Sequence, residues 1–240
     1  MIINGDAQNL PIPDESIDII FTSPPYNVDL EYNSYDDDLS DEDYEKFAWS
    51  WMSEAYRVLK FTGRMYIVIS DSLLFFYKRI SDAIEYLNFG QILTWCKPNL
   101  AGGTTKITGD WNRLTEHILL LRKGSKTPML DGHTTTTHSY FVIASPQKNY
   151  KREIKIHPAQ FPVMLPYRIL SRTPGNVVLD PFSGSASVGV ACKRLNRSFI
   201  GIELDHKYCI DANKRLHNLN KNQFDFQALR LDFMENESEE

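Results

Sequence analysis

Cysteine is scarce in this sequence. Cys96, Cys192 and Cys209 are the three present, they lie far apart, and no CxxC pair occurs. That excludes a disulfide scaffold and a cysteine zinc site, and it suits a reducing cytoplasm, the compartment expected here. No stretch of about 18 apolar residues occurs, so no transmembrane helix is expected. The opening residues, MIINGDAQNLPIP, lack the basic cluster and apolar run of a signal peptide. His133 and His138 read as polar loop residues rather than ligands and His117 as structural, so no metal is expected. A clean GxGxxG is missing too, which argues against a nicotinamide dinucleotide. Nor is there an excess of base, since the net charge is −5.

The total charge hides an uneven distribution. Nine acids and no base lie between Asp29 and Glu45, and five acids and no base from Asp232 to the end. Setting those fourteen aside turns −5 into +9 for the remainder. Between Lys97 and Lys155, ten Lys/Arg face four Asp/Glu. A polyanion responds to the local field rather than the sum, so a basic face on an acidic chain is open. Ordinary surface lysines account for the same numbers. At 240 residues, with 42% hydrophobic and 24% charged, the chain is long enough for one domain with a small insert and too apolar for disorder.

Apolar runs alternate with helical spacing. Residues 17–21 (IDIIF) form a short strand stopped by Pro24-Pro25. From Asp41 to Lys60, Tyr44, Phe47, Trp51, Ala55, Val58 and Leu59 fall on one helix face, with Ser40 or Asp41 as N-cap and Gly63 as stop. Strands are expected at 64–70, 91–96, 116–122, 176–180 and 198–203, and helices at 72–87, 158–172, 186–195 and 205–219. This rhythm predicts a three-layer α/β fold with a mostly parallel sheet. Residues 97–113 and 123–155 break the rhythm, the second carrying the run Thr134–Thr137. Irregular stretches of that length are either functional or plain inserts.

Two turns carry chemistry. In VVLDPFSGSASVGV, residues 177–190, a strand ends at Asp180 and a small-residue turn leads into a helix. Small residues let a ligand approach the backbone, and open α/β sheets bind ligands beyond the carboxyl ends of strands. Glu203, 19 residues past Gly184, ends the next strand, where a carboxylate can accept from both ribose hydroxyls. Asp180 would repel a pyrophosphate and attract a cation, so S-adenosylmethionine, with its amino group and sulfonium, fits better than a dinucleotide. A tight turn with a surface Glu remains the plainer reading.

The second turn is Thr22-Ser23-Pro24-Pro25-Tyr26-Asn27, also just past a strand. Two prolines in series hold the backbone rigid. Ser23 Oγ and a backbone carbonyl can accept the two hydrogens of an amino group on a planar ring, with Tyr26 stacked on that ring. A Pro-Pro turn with a core tyrosine is the alternative.

Taken in order, these segments resemble the beta class of S-adenosylmethionine-dependent DNA amino-methyltransferases. TSPPYN matches the catalytic tetrapeptide, DPFSGSAS the cofactor loop, HPAQFP the stretch before that loop, and FIGIELDHKY the ribose-binding strand. Asn4-Gly5-Asp6-Ala7 and RVLKFTGRMYIVIS match the opening and a central strand. The resemblance covers nearly the whole chain except 123–155 and the tail, and catalytic turn before cofactor loop is the beta-class order.

The resemblance implies a Rossmann-like methyltransferase fold with a mostly parallel, seven-stranded mixed sheet and a small recognition insert. It divides the single domain into a catalytic half (1–122), a recognition insert (123–156), a cofactor half (157–231) and an acidic tail (232–240). It assigns catalysis to Ser23, Pro24, Pro25 and Tyr26. It assigns the cofactor to Asp180, Pro181, Phe182, Gly184 and Ser185 around the methionine part, Glu203 and adjacent Leu204 at the ribose, Asp6 and Ala7 by the adenine, and Phe161 on the methionine side. Ala186 replaces the usual third glycine, where a positive φ would be strained. The reaction implied is in-line methyl transfer to the exocyclic amine of a flipped base. Ser before Pro-Pro points to N4 of cytosine, with N6 of adenine as the alternative, then an RNA substrate or an inactive partner subunit. A thiolate route needs a Pro-Cys pair, which is absent. Duplex DNA is the expected partner, with a homodimer and a cognate restriction endonuclease as further ones. DNA contacts are expected from the 123–155 region and the 99–113 loop, and the acidic 29–45 loop reads either as a lid or as solvated surface.

Overall fold

The computed structural model describes residues 1–30, 34–98, 114–124, 138–146, 157 and 159–219. The 99–113 loop, most of the 123–155 region and the acidic tail lie outside the described residues.

Among the described residues, five α-helices pack on one sheet. The strands are β1 (Ile2–Asn4), β2 (Ile17–Thr22), β3 (Leu59–Ile69), β4 (Leu87–Cys96), β5 (Thr115–Lys123), β6 (Tyr140–Val142), β7 (Val177–Asp180) and β8 (Ser198–Glu203). The helices are α1 (Asp41–Val58), α2 (Leu74–Ala83), α3 (Met164–Leu170), α4 (Ser187–Arg194) and α5 (His206–His217). The sheet order is β1-β8-β7-β2-β3-β5-β4-β6. Only β5 runs against its neighbours β3 and β4; every other pairing is parallel. The expected α/β architecture is present, with eight strands among the described residues where seven were expected.

The side-chain alternation of β3 sorts the core into two layers. Met65, Ile67 and Ile69 join the cluster beneath α1 and α2, whereas Tyr66 and Val68 join the one beneath α3 and α4. Helix α1 starts where Ser40 Oγ accepts the Asp43 N–H at 3.2 Å, and three acids in its first turn oppose the helix dipole. Its buried face is Tyr44, Phe47, Ala48, Trp51, Met52, Ala55 and Val58, as the spacing requires.

Several boundaries differ from the periodicity. Helix α1 passes directly into β3 at Leu59, because Leu59 pairs with Ile17 of β2; Gly63 sits within the strand, not at a helix stop. The expected 72–87 helix ends at Ala83, and Tyr86, at φ 62°, turns the chain into β4 four residues early. Pairing of Leu87–Phe89 with Leu121–Lys123 supplies that extension. Of the described residues in the expected 158–172 helix, only Met164–Leu170 are helical. Strands β1 and β6 are three residues each, too short to show a period, and exist by pairing with β8 and β4. The second lies inside the expected recognition insert. No helix among the described residues is long and apolar enough to cross a membrane.

The sheet's winding reverses between β2 and β7. From β2 the chain goes through α1 to β3 on one side; from β7 it goes through α4 to β8 on the other. Loops diverge at such a switch point, leaving a crevice beyond the strand carboxyl ends.

Candidate active site

Both chemical turns open into that crevice. The strand β2 ends at Thr22 and delivers Ser23–Tyr26; β7 ends at Asp180 and delivers Pro181–Ala186. Thr22 Oγ1 donates to Asp180 Oδ1 at 2.8 Å, and the Phe182 N–H donates to the same oxygen at 3.1 Å. Asp180 is 1% exposed. Burial pushes its carboxyl up to about 7, with the neighbouring charge of Glu203 adding to the effect. It therefore stands behind the turn as an internal brace and is not among the described residues that line the crevice.

A first cavity runs from the β1 end to the two turns. Gly5, Asp6, Ala7 and Leu204 line one end, and Pro181, Phe182, Gly184, Ser185 and Phe161 the other, with Glu203 between. Glu203 Oε2 accepts the Gly184 N–H at 2.8 Å and Oε1 accepts the Asp205 N–H at 2.9 Å. Burial raises its carboxyl above the usual range. Each oxygen keeps acceptor capacity after one backbone bond, so the group suits a vicinal diol. Asp6 accepts the Gln8 N–H at 2.9 Å, which folds its own turn. Ala186 is fully buried at φ 62°, ψ 34°, the left-handed conformation that the usual glycine adopts without strain.

A second cavity adjoins it. Ser23, Pro24, Tyr26, Trp95 and Glu116 line this one. Ser23 and the segment Ala159–Phe161 line both, so the cavities meet at these residues. Pro25 faces the first cavity alone, Pro24 and Tyr26 the second. Tyr44 Oη donates to the Pro25 carbonyl at 2.7 Å, tying the turn to α1. Asn27, at φ 56°, closes the turn, its side-chain amide exchanging hydrogen bonds with the Leu39 backbone at 2.8 and 2.7 Å.

The acidic loop after the turn is organised by one of its own acids. Asp37 is 3% exposed, and its carboxylate accepts the N–H groups of Asn27, Val28 and Leu30 at 2.9–3.1 Å. Ser34 Oγ donates to Asp205 Oδ2 at 2.6 Å, and Tyr35 packs on Phe47 with ring centroids 5.4 Å apart. Asp37, Ser34 and Tyr35 thus hold its described part against the cavity wall, while Asp29, Asp36, Asp38, Asp41, Glu42 and Asp43 stay exposed, as a solvated surface would have them.

Sequence reasoning missed several lining residues. Tyr35 and Phe47 reach the first cavity from the loop and from α1, carrying no local signal beyond core aromatics. His157 stacks edge-on against Tyr208 at 4.6 Å, and both line that cavity; each lies within a matched motif, which is the available signal. Trp95 and Glu116 enter the second cavity from segments read only as strands. Cys192 offers no competing nucleophile: it is fully buried, and that burial pushes its thiol up to about 12.

A family model described as DNA methylase matches residues 17–214. The type II methyltransferase M.HpaI of Haemophilus parainfluenzae is 32% identical over 222 residues, spanning 85% of this chain and 69% of that protein. Among solved structures, the M1.HpyAVI–SAM complex aligns at TM-score 0.66 and 26% identity, covering 90% of this chain and 98% of its own. The PvuII DNA methyltransferase, described as cytosine-N4-specific, aligns at TM-score 0.73 over 93% of this chain and 87% of its own. At 19% identity that last likeness is one of fold.

Proposed function

Because the chain belongs to the N6/N4 family of DNA methylases, we propose that it moves a methyl group from S-adenosylmethionine to the exocyclic amine of a DNA base, N4 of cytosine on the reading of Ser23. One observation carries this: the first cavity, with its diol-accepting carboxylate, and the second cavity, with its aromatic wall, share Ser23 in their walls. A donor in one and an acceptor in the other would face each other across that residue.

The residues present fit the donor. Glu203 would hold the ribose, Asp6 and Ala7 would lie by the adenine, and Phe161, Pro181, Phe182, Gly184 and Ser185 would enclose the methionine part. Asp180 acts through the turn it braces rather than by direct contact. When bound there, S-adenosylmethionine supplies an electrophilic methyl group on a sulfonium centre. Everything else falls to the chain. Ser23 Oγ and a carbonyl of the turn accept the two N–H groups of the target amine. That draws the amine out of conjugation with its ring and frees the nitrogen lone pair for in-line attack. Pro24 and Pro25 keep the turn from yielding, and Tyr26 supplies a face for the ring. The nitrogen sheds a proton to water after the new bond forms.

A paired base cannot reach a cavity beneath the turn, so the target must leave the duplex. Unstacking costs a few kcal/mol, which contact with Tyr26 and Trp95 offsets. The 123–156 insert, of which β6 is the described strand, would read the site with the 99–113 loop through phosphate and base-edge contacts. The type II relative carries the expectation of a restriction endonuclease partner into this proposal. A homodimer rests on the family resemblance.

The test is transfer from methyl-labelled S-adenosylmethionine to mixed-sequence duplex DNA, followed by digestion to nucleosides. Label in N4-methylcytosine is the expected result. Label in N6-methyladenine would keep the mechanism and overturn the base; label in RNA alone would overturn the DNA substrate.

A further inference from the structure

The wall of the second cavity holds an ion pair that takes no part in the methyl transfer just described. Glu116, on β5, accepts from Lys97 Nζ through Oε1. Their side chains are 18% and 12% exposed, so the pair is largely withdrawn from water. Lys97 Nζ also lies 5.0 Å from the ring centroid of Trp95, another residue of the same wall. The Trp95 indole is anchored in turn by its N–H to the Ile143 carbonyl at 2.7 Å.

The other oxygen of Glu116 faces the catalytic turn. Tyr26 Oη donates toward Glu116 Oε2 at 3.1 Å, with the Val68 carbonyl a second acceptor at 3.2 Å. Ser23 Oγ donates to Tyr26 Oη at 3.3 Å. The tyrosine carries one hydroxyl hydrogen, and a carboxylate is a stronger acceptor than a carbonyl. Once that hydrogen points to Glu116, the outer lone pairs of Tyr26 receive the serine hydrogen. Ser23 Oγ then turns only lone pairs to the cavity. The last link is long, as catalytic hydrogen bonds often are before substrate tightens them.

We propose that Glu116, held by Lys97, is a positioning residue for the acceptor base: it orients the Tyr26 and Ser23 hydroxyls in one direction, so that Ser23 meets the base as a hydrogen-bond acceptor. A serine on its own offers either a donor or an acceptor to whatever enters. Oriented from Glu116, it matches a ring bearing NH2 and opposes one bearing a carbonyl oxygen at the same place. Glu116 touches neither reacting atom and works through two intervening hydroxyls. This rests on the exocyclic-amine reading above and holds for cytosine or adenine alike.

Three variants of the full chain test it: Glu116→Gln, Tyr26→Phe and the double variant. Tyr26→Phe keeps the ring for stacking and removes only the relay hydroxyl. The measurements are kcat at saturating DNA and S-adenosylmethionine, KM for DNA, cofactor affinity by calorimetry, and thermal melting. Each single variant is expected to lose about tenfold in kcat, the worth of one charge-assisted hydrogen bond. KM, cofactor affinity and melting should stay near wild type. The double variant should lose no more than the worse single one, because both changes break the same chain. A near-wild-type kcat in either single variant, or losses that multiply to about a hundredfold, would overturn the relay while the methyl-transfer reading stands. Losses that appear in KM or melting with kcat intact would also overturn it. Absence of transfer to any amine by the wild-type chain would remove the amine reading, and the relay with it.

Discussion

Thr22 and Asp180 stand 158 residues apart in the chain and share a buried hydrogen bond of 2.8 Å. It joins the last residue of β2 to the last residue of β7, the two strands that deliver the catalytic turn and the cofactor turn. Thr22→Val keeps the shape and removes the donor. A buried carboxyl that loses its partner costs about 1–3 kcal/mol. Urea unfolding should show a loss of that size, and a wild-type midpoint would mean the bridge is not a tie.

Asp180 makes a pH prediction with a definite sign. Its carboxyl rises from 3.8 unfolded to about 7 folded, so the native state prefers the neutral form. The stability this contributes is fully present below about pH 4 and is lost as pH climbs through 7. Asp180→Asn keeps an acceptor oxygen for Thr22 and cannot ionise. Relative to wild type, the variant should gain stability between pH 4.5 and 7.5 in parallel urea titrations. A difference that stays flat over that range would refute the assignment.

Ala186 occupies the left-handed region with its side chain fully buried. An L-residue pays about 1–2 kcal/mol for that conformation, and glycine does not. Part of the relief is offset by the freer unfolded chain of glycine. Ala186→Gly should therefore raise the unfolding free energy by about 0.5–1 kcal/mol. A lowered urea midpoint would show that packing of the methyl group outweighs the strain.

Glu203 uses both oxygens as acceptors, from Gly184 and from Asp205. Glu203→Gln sets an NH2 group against one of those two N–H donors. The Gly184 turn or the Asp205 cap must then move, and a ribose would lose one acceptor. Calorimetry should show S-adenosylmethionine affinity weakened about tenfold, the worth of one hydrogen bond to a charged group. Unchanged affinity would place the ribose elsewhere.

Much of the candidate site is legible along the chain because its chemistry is local. Ser23–Tyr26 and Asp180–Ser185 are contiguous turns that directly follow apolar runs, and Glu203 ends the next run. The positive φ at Ala186 follows from its place in such a turn. Long strands and helices were legible for the same reason: a period of 2 or 3.6 needs several residues to declare itself. Strands β1 and β6, at three residues, declare nothing and form by pairing alone. Asp37 looked like one acid among nine, and its role appears only where Asn27, Val28 and Leu30 turn their N–H groups toward it.

What the sequence by itself determined is the α/β alternation, the two turns and the family they resemble, since each depends on neighbours along the chain. What the tertiary structure decided is which groups face one another. The switch in winding between β2 and β7 set Thr22 against Asp180, put Asp180 behind its turn, and made Ser23 the junction of two cavities. Glu116 reaches Tyr26 because β5 lies antiparallel beside β3, a pairing that no local pattern encodes. Strand order and register arise from burying whole faces at once, so contacts across the sheet belong to the assembled fold.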